Sequence, residues 1–248
     1  MTKSRAIYEP RGKAKEYAEL AANLFETCYH GCIYCFAPHV LNKKPEEFFA
    51  PAEPKKGIIT RIMADAKMLK AANEKREILL CFTCDPYQSS SKVCKETTRA
   101  AISVLFNSNL NVTILTKGGG RTLEDIDLFE AYKDQFRYGV TLTFANDSHS
   151  IRYEPHAAAT SNRIFALKKV HDKGIRTWVS IEPAWSVEDT LEIINRTHEF
   201  VDTYKIGKLN YHPHTLDVDW DYYTKTVIKR LKELGKEFYV KEDLKKYI

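Results

Sequence analysis

Three cysteines lie within eight residues of one another near the start of the chain, at Cys28, Cys32 and Cys35. Three residues separate the first two and two separate the last two, so a tight loop can direct all three thiolates to one centre. Gly31 allows the backbone to turn inside this loop. Thiolates are soft ligands that suit iron–sulfur clusters, zinc or copper(I). A [4Fe–4S] cluster normally takes four cysteine ligands, so a loop with three would leave one iron open to a small molecule.

Zinc is the main alternative metal for these thiols. A structural zinc ion takes four ligands, and Cys81 and Cys84 form a CxxC pair that could supply the missing one. A disulfide is a second alternative, which a reducing compartment disfavours. The number and the spacing of the cysteines in the loop favour the iron–sulfur cluster over zinc.

Length and charge place only broad limits on the class of protein. The 248 residues suffice for one large domain or two small ones. The formal net charge of +5 permits a nucleic-acid substrate without indicating one. The sequence has no run of about 18 apolar residues, so we expect no membrane-spanning helix. Residues 1–5 lack the apolar core of a signal peptide, which predicts a cytoplasmic protein.

Short apolar runs alternate with helical segments along most of the chain. The predicted strands lie at residues 18–25, 77–83, 111–116, 137–144, 175–181 and 201–207, with a candidate last short strand at 238–240. The predicted helices lie at residues 58–72, 161–173, 187–197 and 220–234, with two more after Ser91 and Thr122. Repeated βαβ units with apolar strands predict a parallel sheet covered by helices.

About six βα units are fewer than the eight of a closed barrel. We therefore predict an α/β fold, a partial (β/α)6 TIM-like barrel. Residues 1–17 are expected to form an N-terminal arm, and residues 18–248 a single core domain with a C-terminal helix.

Two of the predicted helices carry more specific expectations. The serines that end at Ser91 are expected to cap a helix whose apolar face contains Val93, Thr97, Ala100 and Val104. Thr122, with Asp125 three residues later, is close to a capping box and is expected to begin the next helix.

Side-chain alternation along the strands predicts which residues point into the barrel. In the fifth strand Thr177, Val179 and Ile181 share an apolar face that should pack on helices. Glu182 has the opposite parity and is expected at the mouth of the barrel. The same reasoning turns Lys117 and Thr143 inward, at the ends of the third and fourth strands.

The end of the second strand contributes two further candidates, Thr83 and Asp85, although parity alone does not say which face is inward. Chemistry in α/β barrels lies at the carboxyl ends of the strands, so these residues are candidate ligands of a cofactor. For each of them the alternative is that it lies at the end of a strand, is exposed to solvent and binds no cofactor. Cys81, Cys84 and Cys94 are interpreted as buried small hydrophobic residues rather than reactive groups.

The spacing of the cysteine triplet resembles the signature of the radical S-adenosylmethionine (radical SAM) enzymes. The resemblance implies a partial (β/α)6 barrel and a [4Fe–4S] cluster held by Cys28, Cys32 and Cys35. It implies that the open iron binds SAM and that the reduced cluster cleaves SAM to a 5′-deoxyadenosyl radical, which abstracts hydrogen from a substrate. An electron donor such as flavodoxin or ferredoxin is the implied partner.

The resemblance also suggests roles for the candidate residues. Tyr34 stands where the family usually has an aromatic residue before the last cysteine, and its backbone is expected near the adenine of SAM. Lys117 could pair with the SAM carboxylate, while Thr143 and Glu182 could hold its amino and ribose groups. Family members bind the SAM amino group at the end of the second strand, which makes Thr83 and Asp85 candidates.

Within the superfamily the sequence resembles the spore photoproduct lyase-like group, also described as DNA repair photolyase-related. The matching pieces, in chain order, are Arg11-Gly12-Lys13-Ala14, Glu16-Tyr17, Asn23-Leu24-Phe25, His30-Gly31-Cys32, Tyr34-Cys35, Ala37-Pro38, Thr83, Asp85-Pro86-Tyr87-Gln88, Thr116-Lys117, Glu154-Pro155 and Ile181-Glu182-Pro183. The candidate substrate is therefore a nucleic acid or a modified nucleoside.

The sequence departs from this group at one position that matters for the reaction. Spore photoproduct lyase carries a hydrogen-donor cysteine two places before a serine-aspartate pair at the end of strand two. The position two places before the Cys84-Asp85 pair is Phe82 rather than a cysteine. The resemblance therefore does not imply that this protein repairs thymine dimers. The competing function from another class is a zinc-stabilised nucleic-acid-binding protein without catalytic turnover.

Overall fold

Seven parallel strands form a curled half-barrel in which strand order follows chain order. The computed structural model describes residues 5–210 and 212–248, so the first four residues of the predicted arm lie outside the described part. The strands are β1 (Leu20–Ala21), β2 (Ile78–Leu80), β3 (Val112–Thr116), β4 (Phe136–Thr141), β5 (Arg176–Ile181), β6 (Thr203–Ile206) and β7 (Glu237–Val240). This confirms the partial TIM-like barrel, with the candidate strand at residues 238–240 present as the seventh.

Helices surround the half-barrel and follow most of the strands. They are α1 (Ala37–Val40), α2 (Pro45–Phe48), α3 (Ile58–Ala71), α4 (Lys92–Asn107), α5 (Ile126–Ala131), α6 (Asp147–Tyr153), α7 (Thr160–His171), α8 (Val187–Thr197), α9 (Trp220–Glu233) and α10 (Glu242–Lys245). Within the described residues, none of these helices has both the length and the apolar character needed to cross a membrane.

Two hydrophobic clusters lie on opposite faces of the sheet. The large one contains Val140 and Val179 from the strands and residues such as Leu105 from the helices, so it lies between sheet and helices. The small one lies inside the half-barrel and centres on Trp178, with Leu79 and Ala21. Trp178 stands on the inward face of β5, opposite the face that carries Thr177 and Val179.

The register of β4 and β5 leaves room for the indole inside the barrel. Gly139 pairs with Trp178 across these strands, and a Cβ atom at Gly139 would overlap the indole ring and lie 2.6 Å from the carbonyl oxygen of Ile114. The indole Nε1 donates to Thr113 Oγ1 on β3 at 3.0 Å. Three neighbouring strands therefore position one side chain beneath the mouth of the barrel.

The two specific expectations for helices were partly wrong. Ser91 does cap α4, since its hydroxyl accepts from the backbone N–H of Cys94 at 3.2 Å. The buried face, however, contains Cys94, Thr98, Ala101, Ile102, Leu105 and Phe106, and Val93 is 48% exposed. The large residues at 102, 105 and 106 determine the face, one position away from the predicted set.

Thr122 does not begin an α-helix. It lies within a 3-10 segment, Gly119–Asp125, and α5 starts only at Ile126. Its hydroxyl donates to the carbonyl oxygen of Gly119 at 2.8 Å. The three glycines at 118–120 produce this tighter turn before the helix.

The segment before β1 connects the two edge strands of the sheet. Tyr8 pairs with Ala21 of β1 through two antiparallel backbone hydrogen bonds of 2.9 and 3.0 Å. Further along, Glu16 accepts from the backbone N–H of Glu242 at 2.8 Å, next to the end of β7. The segment thus crosses the open side of the half-barrel.

The contact between Gly139 and Trp178 leads to a test of the packing inside the barrel. We expect Gly139→Ala to lower the free energy of unfolding by about 2 kcal/mol, because overfilling a packed interior forces side chains and backbone apart. Chemical denaturation would measure the loss. In a Trp178→Phe background the same glycine substitution should be less damaging, since the smaller ring leaves space. Equal losses in both backgrounds would show that the indole is not what limits this position.

Candidate functional site

A cavity of about 400 Å³ opens at the carboxyl ends of the strands. Its walls come from the cysteine loop after β1, the ends of β2 to β7, and the segment before β1. Most of the residues predicted for a site line this one cavity, namely Cys28, Cys32, Tyr34, Cys35, Thr83, Asp85, Lys117 and Glu182. Thr143 does not line it: its hydroxyl is fully buried, 3.1 Å from the hydroxyl of Tyr34.

The cysteine loop is held in place by backbone contacts with distant parts of the chain. The N–H of Cys28 donates to the carbonyl oxygen of Phe48 at 2.9 Å, and that of Ile33 donates to Tyr153 at 3.0 Å. The N–H of Tyr29 donates to Gln88 Oε1 at 2.7 Å. Gly31 adopts a φ of 65°, in the left-handed region that favours glycine.

Burial keeps the three thiols of the loop protonated in the free protein. It raises the pKa of Cys32 to about 12 and also raises the pKa values of Cys28 and Cys35. The negative charge of Asp85 adds to the effect of burial at Cys28. Metal binding would displace their protons.

The three thiols of the loop are the donors that this side of the cavity offers to a metal. Within the described residues, no three His, Cys, Asp or Glu side chains lie close enough together to hold one metal ion. The three thiols nevertheless face the same cavity, and thiolates are the ligands of iron–sulfur clusters.

A buried carboxylate, Glu154, lies behind the cysteine loop. Arg163 and Glu154 are both inaccessible to solvent and form an ion pair, and the hydroxyl of Tyr34 donates to the same carboxylate. Burial alone would raise the pKa of Glu154, but the charges of Arg163 and Lys117 lower it. The carboxylate is therefore ionised and fixes the ring of Tyr34, which lies between Cys32 and Cys35 in the chain.

Lys117 connects this buried group to the cavity. Its Nζ lies 3.7 Å from Glu154 Oε1 and 5.2 Å from the centre of the Tyr34 ring, and its side chain is 16% exposed. Burial alone would lower the pKa of Lys117, but the negative charge of Glu154, and that of Cys32 when it is a thiolate, raises it. A permanent ammonium group thus stands beside the thiols.

Asp85 already has several partners in the folded chain. Its carboxylate accepts from the backbone N–H of Lys117 and from the hydroxyl of Thr116, both at 2.7 Å, and from the N–H of Tyr87 at 2.8 Å. His30 Nδ1 lies 3.5 Å away. Burial lowers the pKa of His30 to about 3, so this imidazole is neutral. Asp85 joins the ends of β2 and β3 beside the cysteine loop.

Glu182 occupies the opposite side of the cavity. It forms an ion pair with Lys241 and accepts from the hydroxyl of Tyr17. The Nζ of Lys241 lies 3.3 Å above the centre of the Tyr17 ring. Burial is the main reason that the pKa of Lys241 is lowered, although the neighbouring Glu182 opposes that shift.

Several residues of the site were not predicted from the sequence. Arg163 lies within an ordinary amphipathic helix, and Lys241 follows a short edge strand, so neither pattern indicates a buried cation. Glu154 appeared only as part of a matching motif, without a role. Cys81 and Cys84 are buried, as expected, but they also line the same cavity.

Comparisons with known proteins agree with this architecture. The family model described as the radical SAM superfamily matches residues 22–184. An uncharacterized protein of Methanocaldococcus jannaschii is 23% identical over 196 residues, which cover 78% of this chain and 71% of that protein.

Two solved structures share the fold. A variant of spore photoproduct lyase superposes with a TM-score of 0.73 at 12% identity, over 97% of this chain and 80% of the lyase. SuiB of Streptococcus suis bound to S-adenosylmethionine superposes with a TM-score of 0.67 at 11% identity, over 89% of this chain. The chain spans only about half of SuiB, since 50% of that protein is covered.

The buried ion pair behind the loop can be tested through stability. We expect Glu154→Gln to lower the free energy of unfolding by about 3 kcal/mol at neutral pH, because Arg163 and Lys117 lose a buried partner. The folded pKa of Glu154 lies below its ordinary value of 4.5, so its contribution is present above that pH and is lost as the pH falls through the folded pKa. The difference between the variant and the wild type should therefore shrink in acid.

Glu124→Gln is the matched control for this prediction. Glu124 pairs with Lys95 at 2.7 Å on the surface, where both side chains are about half exposed, and an exposed pair contributes at most about 1 kcal/mol. Denaturant titrations across the acid range would compare the two variants. Similar losses for both would show that Glu154 behaves as a surface carboxylate.

Proposed function

The chain belongs to the radical SAM superfamily of enzymes, and we propose that Cys28, Cys32 and Cys35 hold a [4Fe–4S] cluster with one iron open to SAM. The observation that supports this most directly is the convergence of all three thiols on one cavity beside a fixed ammonium group. The reduced cluster would supply the electron that cleaves SAM to a 5′-deoxyadenosyl radical, which abstracts hydrogen from the substrate.

The residues of the cavity would bind and orient SAM rather than react with it. Lys117 would receive the carboxylate of SAM, because it lines the cavity and its contact with Glu154 is a long one of 3.7 Å. Thr83 offers a hydroxyl at the end of β2, and the backbone of Tyr34 would lie near the adenine.

Of the remaining candidates, Asp85 and Thr143 would position other residues of the site rather than bind SAM themselves. Asp85 already accepts three hydrogen bonds, so its main role would be to position Lys117 and the strand ends. Thr143 would position the Tyr34 ring. Glu182, paired with Lys241, would present its side chain to SAM or to the substrate.

We assign no repair of thymine dimers to the chain. Phe82, which lines the cavity, stands where the lyase has its hydrogen-donor cysteine. A nucleic acid or a modified nucleoside is the proposed substrate class, an electron donor such as flavodoxin or ferredoxin is the proposed partner, and the cytoplasm is the proposed location.

Iron analysis tests the cluster directly. We expect protein purified without oxygen to be brown and to contain about four iron and four sulfide per chain. Alanine at Cys28, Cys32 or Cys35 should abolish the absorbance of the cluster, because each supplies one of the three protein ligands. Cys94→Ala should retain it, since Cys94 is buried within α4 and hydrogen-bonds to the carbonyl oxygen of Pro86.

Two outcomes would contradict this assignment in different ways. A colourless protein with one tightly held zinc would favour the structural zinc alternative over the enzyme. Loss of the absorbance in Cys81→Ala or Cys84→Ala, to the same degree as in the loop variants, would indicate ligation by four cysteines and leave no iron for SAM.

Lys117 allows a separate test of the SAM site. We expect Lys117→Ala to keep the cluster but to weaken SAM binding by about ten- to a hundred-fold, because a charge-assisted hydrogen bond to the carboxylate is lost. The variant should fold, since Glu154 retains its ion pair with Arg163. SAM titration followed by spectroscopy of the reconstituted cluster would measure the change.

Lys95→Ala removes an exposed lysine outside this cavity and is the control. Its affinity for SAM should equal that of the wild type. Wild-type affinity in Lys117→Ala would show that the ammonium group does not reach SAM.

A further inference from the structure

The end of the cavity away from the cysteine loop is bordered by positive side chains. They are Arg11, Lys13, Lys208 and Lys241, here called the cationic rim, and all four line the cavity. Arg11 and Lys13 belong to the segment before β1, Lys208 follows β6, and Lys241 follows β7. Three separate parts of the chain therefore bring cations to one opening.

Only half of the charge on the cationic rim is neutralised. Lys13 forms an ion pair with Asp243, and Lys241 forms one with Glu182. Arg11 and Lys208 have no ion pair with a carboxylate in the described part of the chain. The Nζ of Lys208 instead lies 5.2 Å from the ring centre of Trp220. Two positive charges at the opening thus remain available to an anion.

The cationic rim is held in place by contacts between its segments. Asn210 Oδ1 accepts from Lys13 Nζ at 3.4 Å, and Asn210 Nδ2 donates to the carbonyl oxygen of Lys208 at 3.0 Å. Glu16 fixes the segment before β1 through the backbone N–H of Glu242 at 2.8 Å. These contacts hold the segments that carry the cations, so the fold brings the four side chains to one opening.

Aromatic rings lie on the cavity wall together with these cations. Phe36 and Phe82 both line the cavity and are half-buried, and their ring centres are 5.3 Å apart at an angle of 47°. Planar heterocycles stack on such rings, and nucleobases do so without regard to sequence. The cavity therefore combines an apolar planar surface with a fixed surplus of positive charge.

We propose that the cationic rim binds the phosphate groups of a nucleotide or oligonucleotide substrate, with Arg11 and Lys208 as the residues that select the anion. Phosphate is the anion that arginine and lysine side chains from separate segments commonly bind together. A substrate held in this way would place its base or sugar against Phe36 and Phe82, towards the cysteine loop. This inference rests on the proposed function, because it takes the reacting end of the cavity to be the thiol end.

Anisotropy of a fluorescein-labelled single-stranded oligodeoxynucleotide tests the proposal. The full chain is used, without SAM or reductant, so the measurement does not depend on radical chemistry. We expect Arg11→Gln combined with Lys208→Gln to weaken binding at least about ten-fold at moderate salt. The slope of log affinity against log salt should fall by about one for each phosphate contact removed.

Two matched variants separate the site from net charge and from folding. Lys67→Gln combined with Lys70→Gln removes the same charge from exposed positions of α3 and should leave the affinity unchanged. Arg11→Lys combined with Lys208→Arg retains both charges and should keep most of the affinity. Equal weakening in the α3 variant, or no weakening in the Arg11 and Lys208 variant, would overturn the proposal.

Unlabelled competitors identify the source of the phosphate. Displacement by thymidine 5′-monophosphate but not by thymidine would support a nucleotide, and displacement by oligonucleotides alone would support a nucleic acid. Equal competition by thymidine would show that phosphate is not recognised and would overturn the proposal. If the wild-type protein has a cluster and binds SAM but binds no oligonucleotide, the role of the cationic rim is disproved and the proposed function stands. If the wild-type protein binds the oligonucleotide but cannot form a cluster, the proposed function is disproved and the role of the cationic rim stands.

Discussion

The candidate site depends on one buried carboxylate. Glu154 is inaccessible to solvent yet contacts Arg163, Lys117 and the hydroxyl of Tyr34. An ionised group in such a place is tolerated only because cations and hydrogen-bond donors surround it. Through Tyr34 it fixes the centre of the cysteine loop, and through Lys117 it keeps a positive charge beside the thiols. Thiol geometry and local charge are thus set by the same group.

The sequence predicted the architecture because its signals are local. Short apolar runs, glycines after helices and the alternation of residues in β5 depend only on neighbouring positions. The same alternation placed Lys117 and Glu182 at the mouth, since parity holds to the end of a regular strand. The directions of the side chains after the second strand could not be predicted in this way. Because β2 ends at Leu80, strand alternation does not extend to Thr83 or Asp85. The buried face of α4 was predicted one position away from its true place, because small and large apolar side chains occur on neighbouring faces of this helix. The large side chains decide which face is buried.

Other parts of the site could not be predicted because their partners are remote in sequence. Tyr34 and Glu154 are separated by 120 positions, and nothing near either residue indicates the other. Lys241 resembles any lysine that follows an edge strand until the fold places it beside Glu182 and Tyr17. Periodicity describes which face of an element is apolar, whereas a buried charge depends on which loops meet. The buried cations of this protein belong to the second category.

The segment that crosses the open side of the half-barrel links the order of synthesis to completion of the cavity. Lys13 pairs with Asp243 across 230 positions, and Glu16 holds Glu242 across 226. A ribosome therefore releases the cysteine loop long before the strand that completes the opposite wall. Contacts of such long range form late, because chain closure must precede them. The cavity is therefore complete only after the C-terminal segment has packed against the segment before β1.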